Sequence, residues 1–176
     1  MVWNAPKTWA NGELVTANDL NTHLRDNLAY LKSALVYDSV DADNNYTANN
    51  TASFADVDAA NLSLTVTTRG KLAVVGFEAA VRRTNEAQAV ALDISVDGAR
   101  LGTADLGLAV VGVQSSRDAT VPTPVQAQHW LTDLPAGPHT FRLMWRQRNG
   151  TTINGHIDSS LADGMPTRLW LLEFDI

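Results

Sequence analysis

The sequence contains no cysteine. Disulfides, thiolate metal sites and cysteine nucleophiles are therefore excluded. It also lacks a surplus of positive charge: 13 lysines and arginines stand against 19 aspartates and glutamates, for a formal net charge of −6. Phosphate backbones need a basic surface, so no nucleic acid is expected as a partner. No apolar run approaches the ~20 residues of a spanning helix, so no membrane insertion is expected. The opening Met1-Val-Trp-Asn-Ala-Pro-Lys7 has no apolar centre of the kind a secretory signal requires. The expectation is a protein made in a cytoplasm, reaching the outside only by another route, such as assembly into a virion.

Catalytic patterns are missing as well. His23, His129, His139 and His156 form no His-x-x-x-His or similar pair, so each reads as structural. Ser115-Ser-Arg-Asp118 lacks the Gly-x-Ser-x-Gly elbow of a hydrolase. Gly102, Gly107 and Gly112 recur every five residues, but no Gly-Lys-Ser/Thr follows, so they form no phosphate loop. Asp41, Asp43 and Asn45 copy three ligand positions of an EF-hand loop. Tyr46 then replaces the required glycine, and Ala52 the bidentate glutamate. No catalytic residue, metal or cofactor is assigned, and the chain is read as no enzyme. A carboxylate pair for glycan hydrolysis stays open, because sandwich folds host it and sequence does not reveal it.

What is present begins with a helix. Thr16 stands at an N-cap position and Asp19 at N3, a capping box with aspartate in place of glutamate. Leu20, Leu24, Leu28, Leu31 and Leu35 follow as an apolar stripe on one helical face. About four turns is marginal for an isolated helix in water. The stripe must pack on its own domain or in a parallel bundle of identical chains, with Asn21 as a register-setting polar residue. Spacing leaves both open. Ahead of it, residues 1–15 hold Trp3, Pro6, Trp9 and Gly12 without periodicity. Trp3 and Trp9 either fold back on the chain or dock into another protein, where tryptophan is a common anchor. Docking is the expectation.

Residues 1–36 thus read as an attachment arm and helix. Residues 37–53, rich in Asn, Asp, Ser and Thr, read as a polar linker. Residues 54–176 carry strand patterns with turn signals at Asp97-Gly98, Pro135–Pro138 and Asn149-Gly150, and no helix between them. An all-β, antiparallel sandwich head is expected. Leu72–Phe77, Leu106–Val113 and Leu169–Phe174 are apolar on both strand faces. A lone sandwich wets one face of each sheet, so these stretches predict a covered outer face, satisfied by a homotrimer. Leu169, Leu171, Leu172 and Phe174 are the expected interface. Arg142, Arg146 and Arg148 share one strand face, either salt-bridged or a surface for an anionic glycan or neighbouring subunit.

Two resemblances add to this reading. Trp9, Gly12, Val15-Thr-Ala17, Asp19-Leu-Asn21 and Leu24-Arg-Asp-Asn-Leu28 resemble a segment near the N-terminus of many tailed-bacteriophage virion proteins, tail fibres and related appendages. The strand order, with Leu134 to Trp145 before a penultimate hairpin and a terminal Arg168-Leu-Trp-Leu-Leu-Glu-Phe174, is similar to jelly-roll heads of the tumour-necrosis-factor and complement type. Those heads are trimers with the C-terminal strand near the axis. The resemblances imply a trimeric virion appendage subunit. Its N-terminus would dock on another virion protein, and its head would face a host-surface glycan or protein. The alternatives are a capsid-decoration or head-fibre protein without receptor role, a sandwich glycan hydrolase, and a carbohydrate-binding module.

Overall fold

In a computed structural model, residues 4–33, 35–47, 53–70, 72–83, 89–112, 122–148, 155–158 and 166–174 are described. The helix forms where the capping box predicts it. The Thr16 hydroxyl accepts the Asp19 N–H, and the Asp19 carboxylate accepts the Thr16 N–H. α1 (Ala17–Leu20), a π-helical turn (Asn21–Arg25) and α2 (Asp26–Ser33) follow one another without a break. Leu35 is not part of this helix, because the chain turns into a strand there.

The strands are β1 (Leu35–Ala42), β2 (Tyr46–Thr47), β3 (Ala55–Asp56), β4 (Ser63–Arg69), β5 (Leu72–Arg83) and β6 (Ala89–Val96). They continue as β7 (Ala99–Arg100), β8 (Ala109–Val111), β9 (Thr123–Leu131), β10 (Ala136–Arg148), β11 (Gly155–Ile157) and β12 (Thr167–Phe174). In the first sheet β12 lies between β1 and β5, and β9 pairs the far edge of β5. The short β11 and β2 extend this sheet beside the second half of β5. In the second sheet β10 is central, with β4 and β3 on one side and β6 on the other, and β7 and β8 flank β6. The main strands thus divide as β1, β5, β9 and β12 against β4, β6, β8 and β10, all paired antiparallel. This is the jelly-roll arrangement of an all-β sandwich.

Alternation builds the core. Along β12 each second residue is buried, so Leu169 and Leu171 point inward with Val75 and Phe77 of β5. They meet Leu92 and Ile94 of β6 and Phe141 and Leu143 of β10. The Asp97-Gly98 hairpin forms as its sequence predicts: both residues adopt positive φ, 51° and 85°, and Val96 pairs Ala99 across it.

Three expectations need correction. Residues 37–53 do not begin as a linker, because β1 runs through Ala42 in full register with β12. Its polar Ser39 and Asp41 lie on the outward side, while Val36, Val40 and Ala42 lie inward. Residues 135–138 are not a free turn: Ala136, Gly137 and Pro138 already pair with β4. The described part of Leu106–Val113, which ends at Gly112, is no double-sided strand, since β8 spans three residues and Leu106 is exposed. The Asn149-Gly150 signal and Ser115–Asp118 lie outside the described residues.

β6 is buried along its whole length, as β5 is over residues 73–77 and 79–81, and the cover of β6 comes from its own chain. Asp93, fully buried on the outer side, accepts the Gly102 N–H at 2.9 Å and Arg100 Nε at 2.8 Å. The Arg100 guanidinium sits 3.6 Å over the Phe54 ring. The returning segment passes so close that a Cβ on Gly107, whose φ is 63°, would lie 2.3 Å from the Leu92 carbonyl oxygen.

Candidate assembly surface

The outer face of the first sheet is ordered in rows, because antiparallel partners project to the same side. Leu35, Phe174 and Leu72 form the first row. Tyr37, Leu172, Val74 and Trp130 form the second. Leu35, Tyr37 and Trp130 are each more than half exposed, at 53%, 54% and 53%. Every side chain in these two rows is aliphatic or aromatic, an apolar patch of the kind that marks interfaces.

The next rows change character. Ser39, Trp170, Gly76 and Gln128 come third, and Asp41, Arg168, Glu78 and Gln126 fourth. Arg168 grips Asp41 as a fork, Nε to Oδ1 at 2.7 Å and Nη2 to Oδ2 at 3.0 Å. That hydrogen bonding holds the Asp41 carboxyl below its ordinary range. Gly76 makes room for the Trp170 indole, since a Cβ there would lie 2.3 Å from Trp170 Cζ2. One sheet face is therefore apolar at the end where the helix enters and polar at the other.

This division corrects the expected interface. Leu169 and Leu171 are buried in the core, 0% and 2% exposed, and are not available to a partner. Leu172 and Phe174 lie on the outer side, with Trp170 between the apolar and polar rows. Two apolar faces in sequence do not reveal which one meets the opposing sheet.

The helix carries a second open surface. Leu20, Leu24 and Leu28 are 49%, 55% and 57% exposed. Leu31 lies in α2, but its side chain is outside the described set. Asn21, the expected register residue, is exposed. Among the described helix residues the one buried side chain is Asn27. A short amphipathic helix whose apolar stripe is open at these positions is marginal in water.

Asn27 is buried because the arm folds back on it. Its Oδ1 accepts the Asn4 N–H at 3.0 Å, and its Nδ2 donates to the Asn4 carbonyl at 2.9 Å and to the His23 carbonyl at 3.2 Å. Lys7 adds ion pairs to Glu13 at 2.7 Å and Asp19 at 3.1 Å, and its Nζ lies 4.4 Å over the Trp9 ring. The Thr16 hydroxyl and Lys7 pull the Asp19 carboxyl down to about 2. The arm thus occupies the Asp19 and Asn27 side of the helix and leaves Leu20, Leu24 and Leu28 open. Trp9 is 40% exposed, Leu14 and Val15 more so. Trp3 lies outside the described residues. Sequence reading missed the clamp because a single asparagine carries no signal of a partner twenty-three residues away.

The arginine strand does not present free charge at the two positions described. Arg142 Nη1 is 3.1 Å from Asp56 and Arg146 Nη1 is 3.2 Å from Asp105. The side chain of Arg148 is outside the described set. Of the two readings of this face, ion pairing describes Arg142 and Arg146.

Of the histidines, His139 holds the most defined position. Its Nδ1 lies 2.6 Å from Asp97 Oδ2 and its Nε2 2.9 Å from the Pro135 carbonyl oxygen. Both neighbours accept hydrogen bonds, so the doubly protonated ring fits best, and the Asp97 bond raises the His139 pKa above its ordinary value. His156 is shifted the other way, by burial and by the nearby Arg82. Among the described residues no group of three or more His, Asp or Glu side chains is placed to hold a metal ion.

No family model matches this chain, and no curated protein does. Among solved structures it is similar to the VP2 subviral particle of infectious bursal disease virus, at 8% identity and a TM-score of 0.42, covering 79% of this chain and 37% of that one. Structures of the Gt and Gx strains of the same virus are similar at 10% identity. The Gt strain has a TM-score of 0.41, covering 79% of this chain and 36% of that one. The Gx strain has a TM-score of 0.37, covering 80% and 36%. The chain spans little more than a third of each, and likeness at this level carries no argument about role.

Proposed function

We propose that this chain is a non-enzymatic structural subunit of a virion, a fibre or appendage protein that assembles as a homotrimer. One observation carries the reading: the apolar rows of the first sheet begin at Leu35, directly after a helix whose Leu20, Leu24 and Leu28 are also open. A parallel assembly of identical chains covers both surfaces at once, with helices bundled and heads packed by their helix-proximal halves. The virion assignment rests on the resemblance of residues 9–28 to tailed-bacteriophage appendage proteins. In this reading the arm, with Trp3 and Trp9, docks on another virion component, and the head faces a host-surface glycan or protein.

Incorporation into particles tests the assignment. Removing residues 1–15 leaves the capping box and the head intact, and the expected product is a folded protein that fails to enter particles. Normal incorporation of the shortened chain would overturn the docking role. Incubation of the full chain with host capsular or cell-wall glycan is expected to release no reducing ends. Turnover abolished by a single Asp or Glu substitution would overturn the non-enzymatic reading.

A further inference from the structure

The polar rows of the first sheet are not explained by assembly. Two adjoining depressions open there. One of about 290 Å³ is lined by Glu78, Gln126, Gln128 and Trp170. The other, of about 430 Å³, shares Glu78 and Gln126 and adds Pro124 and Pro166. Alternation along β9 turns Gln126 and Gln128 outward to solvent. Gly76 lets the partly buried Trp170 indole lie across the sheet between the apolar rows and this groove.

We propose that this groove binds an uncharged mono- or disaccharide, with the Trp170 indole against the sugar ring and Gln126, Gln128 and Glu78 on its hydroxyls. A pyranose presents an apolar C–H face and a rim of hydroxyls that both donate and accept. An indole matches the first, amides match both hydrogen-bonding roles, and a carboxylate accepts. Depressions near 300 Å³ lie at the small end of ligand sites. Charge selects among sugars: Arg168 is committed to Asp41, leaving Glu78 as the carboxylate beside the groove, in a chain of formal net charge −6. Sialylated and sulfated glycans are disfavoured. The inference deepens the receptor role proposed above and rests on it for the ligand's source, while the groove lies within one chain and needs no trimer.

Saturation-transfer NMR on the full chain, with maltose, N,N′-diacetylchitobiose and sialyllactose as separate probes, tests it. Transfer to ring protons of at least one neutral disaccharide is expected at millimolar concentration. It should fall at least tenfold in Trp170→Ala and in the Gln126→Ala/Gln128→Ala double variant, whose solvent-facing changes leave the fold intact. Leu172→Asp should dissociate the trimer yet keep the transfer, so failure of assembly and failure of the sugar site are told apart. No transfer to either neutral sugar, transfer that survives the double glutamine variant, or stronger transfer to sialyllactose would overturn the proposal.

Discussion

Trp130 and Phe174 stack with ring centroids 6.2 Å apart and 17° between their planes, across the intervening strand β5 and on its solvent side. Trp130 is more than half exposed, so the pair shelters only part of its surface within one chain. If this surface is an interface, its centre is here. Trp130→Ser is expected to weaken assembly at least tenfold while moving the melting temperature of the dissociated head little, since exposed positions contribute within about ±0.5 kcal/mol. Light scattering against concentration, paired with thermal melts, checks both halves. A large loss of head stability with unchanged assembly would reverse the assignment.

Leu171 and Leu172 are adjacent but face opposite ways. Leu171→Asp forces a carboxylate into the core beside residues from both sheets and is expected to prevent folding or cause aggregation. Leu172→Asp places the charge on the outer rows and is expected to yield a folded monomer. Far-ultraviolet circular dichroism and gel filtration of the two variants separate the outcomes. Equal behaviour would mean that the alternation along β12 does not govern assembly.

His139 and Asp97 give a pH signature. The folded pKa of His139 is raised, so its contribution is complete below the ordinary imidazole range and is lost as pH rises through the folded value. That of Asp97 is lowered, first by the Thr140 N–H and then by His139, so its contribution is complete above the ordinary carboxylate range and is lost as pH falls. The pair is strongest between about pH 4 and 6.5. The melting temperature of the wild type minus that of His139→Gln should peak in this window and shrink toward pH 9. Taking the difference removes His156, whose lowered pKa acts in the opposite direction, stabilising above its ordinary range. A flat difference would show that the ring is not held as an imidazolium.

The arm is fastened by one side chain that both donates and accepts. Asn27→Asp keeps an acceptor for the Asn4 N–H but sets a carboxylate against the Asn4 carbonyl, which has lost its donor. Limited proteolysis should then cut within residues 5–15 much faster, with the head's melting temperature unchanged. Unaltered protection would mean that the ion pairs of Lys7 hold the arm alone.

Much of the head was legible because its strands obey period two. Leu92 and Ile94 against Asp93 and Ser95, and Phe141, Leu143 and Trp145 against Arg142, Met144 and Arg146, read as strands and fold as strands. β1 was not, because Ser39 and Asp41 on its outer side gave residues 37–53 the composition of a linker, and Arg168, the partner of Asp41, is 127 residues beyond it. The helix start was legible from Thr16 and Asp19, which act locally; its π-helical turn has no sequence mark. The split of one sheet face into apolar and polar rows was hidden for a different reason. It exists only once Trp130, Val74, Leu172 and Tyr37 are brought into register from four strands.

The central claim is that identical chains cover the apolar rows and the leucine stripe together. Sedimentation equilibrium of the unmodified chain at micromolar concentration tests it most directly. The account predicts a single species of three times the 19.0 kDa chain mass, persisting on dilution. A well-folded monomer would contradict the assembly, and a stable dimer would contradict its three-fold geometry.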